Sequence, residues 1–169
     1  MPAGDLILGL DPGSLVTGYG LIVAGPGADA RLVETGVIRA PAKEPLTRRL
    51  IAIHQGVAGL IARLGPAEVA IEDVFSAKNP RAALALGQAR AAAILAAALA
   101  GLPVHEYSPA MVKKALVGHG QAGKEQVAYM VCQILHCPAP PALDASDALA
   151  VALMHHAARR LNGALGARP

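Results

Sequence analysis

Leu6-Ile7-Leu8-Gly9-Leu10-Asp11-Pro12-Gly13-Ser14 is the stretch whose reading decides the fold. Its unbroken apolar run predicts a buried β-strand over 5–11, and Pro12-Gly13-Ser14 predicts a turn. Asp11 therefore stands where a strand leaves the core. A buried carboxylate is costly unless something compensates it, and a divalent cation is the usual compensator for a cluster of them. Three further acids have matching settings. Glu72 closes Val69-Ala70-Ile71, and Asp144 and Asp147 lie three apart in Asp144-Ala145-Ser146-Asp147-Ala148-Leu149-Ala150. If the chain brings these segments together, it builds an oxygen-only pocket for magnesium-type ions, and phosphate chemistry follows.

Outward from the first strand, 17–24 and 31–39 read as strands joined through Gly25-Pro26-Gly27, and the short connections favour an antiparallel meander. Leu46, Leu50, Ile53, Val57, Leu60, Ile61 and Leu64 have helical spacing, and Gly65-Pro66 ends that helix. A strand over 68–72, a long helix over 80–100 and a strand over 102–107 follow. Ser108 is an N-cap with Pro109 at the first helical position, opening a helix through Leu116. After a loop over 118–123, helices are expected over 124–136 and 144–162. The order predicts an α/β fold, a mixed five-stranded sheet with helices on both faces and the first strand central beside the fourth. Asp11 and Glu72 would then end adjacent strands. Asp144 and Asp147 share a helical face and can point at the same spot.

At 169 residues the chain suits one domain over 1–169, with 163–169 frayed. A hydrophobic content of 54% with 16% charged residues excludes a disordered chain, and 2% aromatics demands an aliphatic, alanine-based core. There are 15 basic and 12 acidic residues; with the four acids neutralised by metal, 8 acids would remain and the balance would be +7. A polyanion would meet that larger charge. The start lacks the pattern of a signal peptide, and the uncharged stretch 91–104 is too short to span a bilayer, so a soluble, cytoplasmic protein without a membrane partner is expected. Cys132, His136 and Cys137 have no second ligand pair at zinc spacing and read as ordinary core or helix-end groups.

Five motifs in order carry a resemblance that covers essentially the whole chain. They are Leu8-Gly9-Leu10-Asp11-Pro12-Gly13; Ile71-Glu72-Asp73-Val74-Phe75 leading to Lys78-Asn79-Pro80; Leu86-Gly87-Gln88-Ala89-Arg90; Val112-Lys113-Lys114 with Lys124-Glu125-Gln126-Val127; and the acidic segment from Asp144 to Ala150. On them the sequence resembles the RuvC family of Holliday-junction resolvases, endonucleases of the ribonuclease H-like fold. The resemblance implies that Asp11, Glu72, Asp144 and Asp147 are catalytic ligands for two Mg²⁺ ions, with Mn²⁺ a possible substitute. It implies that Phe75 inserts near the centre of a four-way DNA junction and that Lys113 and Lys124 contact DNA phosphates. It further implies a homodimer, a branch-migration helicase as partner, and hydrolysis by water to a 5′-phosphate and a 3′-hydroxyl. Asp73 departs from the glutamine or glutamate expected there.

Several residues carry a plainer reading beside this one. Asp11 alone is a turn residue, and Asp144 alone an N-cap with Asp147 in a favourable first turn. Glu72 has no such routine task. Phe75, the single phenylalanine, is by type a core residue, although its neighbours read as an exposed loop suited to base stacking. Lys78, Lys113, Lys114 and Lys124 cluster with the motifs, and only Lys43 lies elsewhere; phosphate contacts are expected there, with Arg81, Arg48 and Arg49 as weaker candidates. His155, two turns beyond Asp147, is an auxiliary candidate for the site or a residue aimed at the sheet, and His119 reaches DNA or only solvent. The long alanine-rich helix is apolar nearly all round, which implies burial inside the monomer or against a two-fold partner. Two other classes compete: a sugar-kinase or actin-like ATPase, which needs a second large domain and another glycine-rich loop, and a catalytically silent nucleic-acid binder, which would not need all four acids.

Overall fold

The computed structural model describes residues 4–73, 79–137 and 141–166. Phe75 and Lys78 fall outside the described residues. Three strands come first, β1 (Asp5–Asp11), β2 (Val16–Ala24) and β3 (Ala30–Arg39), then α1 (Leu46–Leu64), β4 (Glu68–Glu72), α2 (Pro80–Leu99) and β5 (Val104–Tyr107). Helices α3 (Pro109–Val117), α4 (Lys124–Leu135) and α5 (Leu143–Gly166) complete the described chain. The sheet order is β3-β2-β1-β4-β5. β1 runs antiparallel to β2 and parallel to β4, and β4 runs parallel to β5.

Strand alternation turns the buried sheet residues toward one of two cores. Leu8, Leu10, Leu21, Val69 and Ile71 face α1 and α2. Ile7, Ile22 and Ala70 face α5, with α4 and α3 behind it. The parity that turns Ile7 toward α5 also turns Gly9 and Asp11 that way. On β4 it turns Glu68, Ala70 and Glu72 to the same side. His105 pairs with Ala70 and Tyr107 with Glu72, so both lie on the α5 face as well.

Helix α5 sits directly on the sheet because two strand residues lack a side chain there. A Cβ on Gly9 would lie 2.0 Å from the Ala148 carbonyl oxygen, and one on Gly18 would lie 1.9 Å from that of Asp144. Real Cβ atoms do not approach so closely, so only glycine admits the helix at this depth.

Most predicted boundaries agree with these elements within a residue; β5 begins at Val104, two residues later than expected, and α5 and α2 differ as follows. α5 starts at Leu143, and the first helical bond runs from the Ser146 amide to the Ala142 carbonyl at 2.8 Å. Ala142 is thus the N-cap, and Asp144 lies inside the first turn. α5 also continues to Gly166, past the expected end at Asn162. In α2 only Ala89, Ala93, Ala96 and Ala97 are buried, whereas Leu84, Leu95 and Leu99 are exposed. An all-apolar helix is here covered on one side only.

Candidate active site

Leu10 and Ile71 are in register across β1 and β4, so Asp11 and Glu72 occupy the next rung together at the carboxyl ends of adjacent strands. Asp147 comes down onto them from the second turn of α5. Asp144 lies within electrostatic reach of Asp11. Three separate segments thus deliver carboxylates to one spot, as the apolar-run-then-acid pattern predicts.

The electrostatics are those of crowded acids. Burial first, then Asp147, raises the Asp11 carboxyl from 3.8 to about 6. Burial, then Asp11 and Asp147, pushes Glu72 from 4.5 up to about 8. Both carboxyls are pushed toward protonation, because like charges at close range cannot both be ionised cheaply. The counter-charge at this cluster is Lys124, whose Nζ lies 2.6 Å from Asp147 Oδ2 and lowers both Asp11 and Glu72. All four candidate ligands are oxygen donors, the set that hard divalent cations take, and the upward shifts of Asp11 and Glu72 mark a place where positive charge is lacking.

Beside the acids, Glu72, Pro109, Val112, Lys113, Lys124, Val127, Asp147 and Ala150 line a cavity of about 180 Å³. Lys113 and Lys124 reach it because Ser108 caps α3 and Gly123 begins α4. The Ser108 hydroxyl accepts from the Met111 amide at 3.3 Å, and the Gln126 side chain accepts from the Gly123 amide at 2.9 Å. Lys114, Arg81 and His119 are exposed on the surface. Arg49 is occupied elsewhere, donating to the Ser14 carbonyl at 3.3 Å in the turn after β1.

Arg90 is a positioning residue that sequence reasoning passed over. Its Nε donates to the Glu72 carbonyl at 3.2 Å, and its guanidinium pairs with Glu106 and, at 3.5 Å, with Asp73. It thereby fixes the backbone that carries Glu72. The signal was present in Leu86-Gly87-Gln88-Ala89-Arg90, where one charge interrupts an apolar helix.

His155 does not join the acids. It shares their face of α5, but eight helical residues rise about 12 Å, and that places it over the other end of β4. There its Nε2 lies 2.6 Å from Glu68 and its Nδ1 2.7 Å from the Tyr107 hydroxyl. Sharing a helix face is not sharing a site. Cys132 and Cys137 behave as helix-end groups: the Cys132 thiol donates to the Cys137 carbonyl at 3.2 Å, and His136 between them takes a left-handed φ of 52°.

Comparison with known proteins agrees with this geometry. The family described as crossover junction endodeoxyribonuclease RuvC matches residues 7–155. A Solidesulfovibrio magneticus protein of that name is 52% identical over 166 residues, covering 98% of each chain. One from Alkalilimnicola ehrlichii is 52% identical over 149 residues, covering 88% of this chain and 89% of its own. The structure of Thermus thermophilus RuvC in complex with Holliday junction substrate superimposes with a TM-score of 0.87 at 37% identity, covering 94% of this chain and 96% of that one. The yeast mitochondrial Holliday junction resolvase Ydc2, at 13% identity and a TM-score of 0.67, shares the fold. The chain therefore has the ribonuclease H-like architecture expected of it.

Proposed function

Because this chain belongs to the RuvC family of crossover junction endodeoxyribonucleases, we propose that it resolves four-way DNA junctions by cutting two opposing strands. The observation that carries the reading is the convergence of Asp11 and Glu72 on one rung of the sheet with Asp147 of α5 beside them, burial and mutual repulsion raising Asp11 to about 6 and Glu72 to about 8. Such a cluster is unfavourable by itself and fits divalent cations of the Mg²⁺ type. Asp11, Glu72, Asp144 and Asp147 would hold two of them, with Mn²⁺ as a substitute. When bound, the pair supplies charge stabilisation to the entering and leaving oxygens of an in-line phosphoryl displacement.

The chain's own groups prepare that arrangement. Glu72 and Asp11 must be deprotonated before all the carboxylates can act as ligands, so cations and protons compete for the site. Lys124 then has no reason to stay on Asp147 and can turn with Lys113 to a phosphate in the adjoining cavity. Arg90 holds the Glu72 backbone still. Lys78, Lys114 and Arg81 extend the phosphate-binding surface, and His119 is a peripheral candidate. Phe75 would stack at the opened junction centre.

Cutting two strands needs two sites. Leu50, Ile51, His54, Gln55, Gln88, Ala91, Ala92 and Leu95 line an apolar groove of about 450 Å³ between α1 and α2, and Leu84 and Leu99 extend the exposed apolar surface. An unpolarised face of that kind suits a two-fold copy of the same chain. A branch-migration helicase would deliver junctions to the dimer on cytoplasmic DNA.

The test is a synthetic four-way junction incubated with protein and Mg²⁺ beside a linear duplex and an ATP hydrolysis control. Paired, symmetric nicks confined to the junction are expected, with 5′-phosphate ends. Equal cutting of linear duplex, or nicking without divalent metal, would remove the proposal.

A further inference from the structure

Glu68, His105 and His155 form a second cluster with different chemistry. Glu68 starts β4, His105 lies on β5 and His155 on α5, so three elements again converge, now at the opposite end of β4 from Glu72. The two glutamates are four strand residues apart, about 13 Å. One ligand atom from each of the three residues lies within 4.8 Å of the others. His155 Nε2 is 2.6 Å and His105 Nε2 3.1 Å from the same oxygen, Glu68 Oε2. The imidazoles stack with centroids 4.2 Å apart and planes inclined by 27°.

We propose that these three side chains are a transition-metal site of the Zn²⁺ class, separate from the acidic cluster, that clips α5 to β4 and the edge strand β5. Two imidazoles and a carboxylate are donors that Zn²⁺ accepts and Mg²⁺ does not favour. Ligand atoms around tetrahedral Zn²⁺ stand about 3.3 Å apart, given bonds near 2.0–2.1 Å, so modest side-chain shifts suffice. The surrounding shell is already built. The Tyr107 hydroxyl engages His155 Nδ1 at 2.7 Å, which fixes the ring and leaves Nε2 facing the centre. Arg159 Nη1 makes an ion pair with the other oxygen of Glu68, 3.3 Å from Oε1, while its Nη2 is tied to Asp5 at 2.6 Å. Oε2 is left to the imidazoles.

Without a metal the cluster is incompletely satisfied. Two ring nitrogens contend for one oxygen, and His105 Nε2, although 3.1 Å from it, is buried without a hydrogen bond. A cation would use both nitrogens at once. Burial also lowers the His155 pKa, which keeps the ring neutral, the form that binds metal. The His105 side chain is 40% exposed, against 2% for His155, and gives the ion its route from solvent. The nearby Arg159 guanidinium opposes a cation, and its pairing with Asp5 and Glu68 offsets that charge.

The experiment uses full-length protein carrying Asp147→Asn to disable the acidic cluster. It is equilibrated with Zn²⁺ in millimolar Mg²⁺, freed of unbound metal and analysed for zinc by mass spectrometry. One zinc per chain is expected, falling to none when Glu68→Gln or His105→Phe is added. The phenylalanine keeps the stacked ring and removes the nitrogen, so a folded variant is retained for comparison. Zinc should raise the melting temperature by several degrees in the parent and leave the His105→Phe protein unmoved. Co²⁺ should give visible bands lacking the charge-transfer absorption that Cys132 or Cys137 ligation would produce. An unchanged zinc load in His105→Phe, a thiolate band, or a folded parent that retains no zinc would each overturn the proposal.

Discussion

Glu68 and Glu72 bracket one five-residue strand and point to the same face, yet their surroundings are opposite. Around Glu68 the chain gathers His155, His105 and Arg159, all donors or cations. Around Glu72 it gathers Asp11 and Asp147, with Lys124 as the opposing positive group. The fold surrounds the acid at one end of β4 with groups that favour its charge and the acid at the other end with groups that oppose it. The difference shows that a buried acid is not in itself a mark of function. What distinguishes the end proposed as catalytic is that its neighbours make the charge worse.

The sharpest way to break this contrast is to remove an acid from each end. Asp11→Asn should abolish junction cleavage by about 100-fold or more, since several kcal/mol of charge stabilisation depend on the cations it would hold. Junction binding in a mobility assay should survive, and melting temperature should hold or rise because repulsion is relieved. Preserved cutting would mean that the acids are not ligands. His155→Ala should do the reverse. Losing a buried ring and two hydrogen bonds should cost about 2–4 kcal/mol in denaturant melts. Its nicking rate per folded molecule, with magnesium the sole added metal, should stay near the unaltered value. A selective loss of rate would return His155 to the active site.

The next effect is one of pH. Asp11 and Glu72 have folded values above their ordinary ones, so between 3.8–4.5 and about 8 the native protein holds more protons than the unfolded chain. Stability of the metal-free protein should therefore fall as pH rises through that window, by several degrees in melting temperature. Mg²⁺ should flatten the slope, and Glu72→Gln should reduce it without metal. A stability that climbs steadily to pH 8 would contradict the crowding of these acids. The smallest effect concerns Lys124: Lys124→Met should weaken junction binding uniformly and reduce the slope of log affinity against log salt by about 1. An unchanged slope would leave the lysine as a partner of Asp147 alone.

Much of this contrast was legible before any coordinates. Uninterrupted apolar runs located β1 and β4, and the acids that end them fell on one rung because β1 is flanked by both the meander and the parallel strand. Other features depend on position in three dimensions. His155 matches Asp147 in helical phase, and phase carries no information about distance along an axis. His105 and Glu68 are far apart in sequence, and only the β4–β5 register brings them together. The start of α5 was misjudged by one residue because an aspartate ahead of an alanine run resembles a cap, whereas Ala142 fills that position with its backbone alone. The alanines of α2 give the same hydropathy on each side, so composition could not say which side meets the sheet.

The bare backbone at Gly9 and Gly18 sets a mechanical tolerance for catalysis. A single methyl at either position would act as a shim, prising the front of the last helix off the strands by an ångström or more. Every acid would still be present in such a variant, but Asp144 and Asp147 would hang too far from Asp11 to share the cations proposed for this site. The enzyme could thus be silenced by adding one carbon atom beneath the helix, with no reactive group altered.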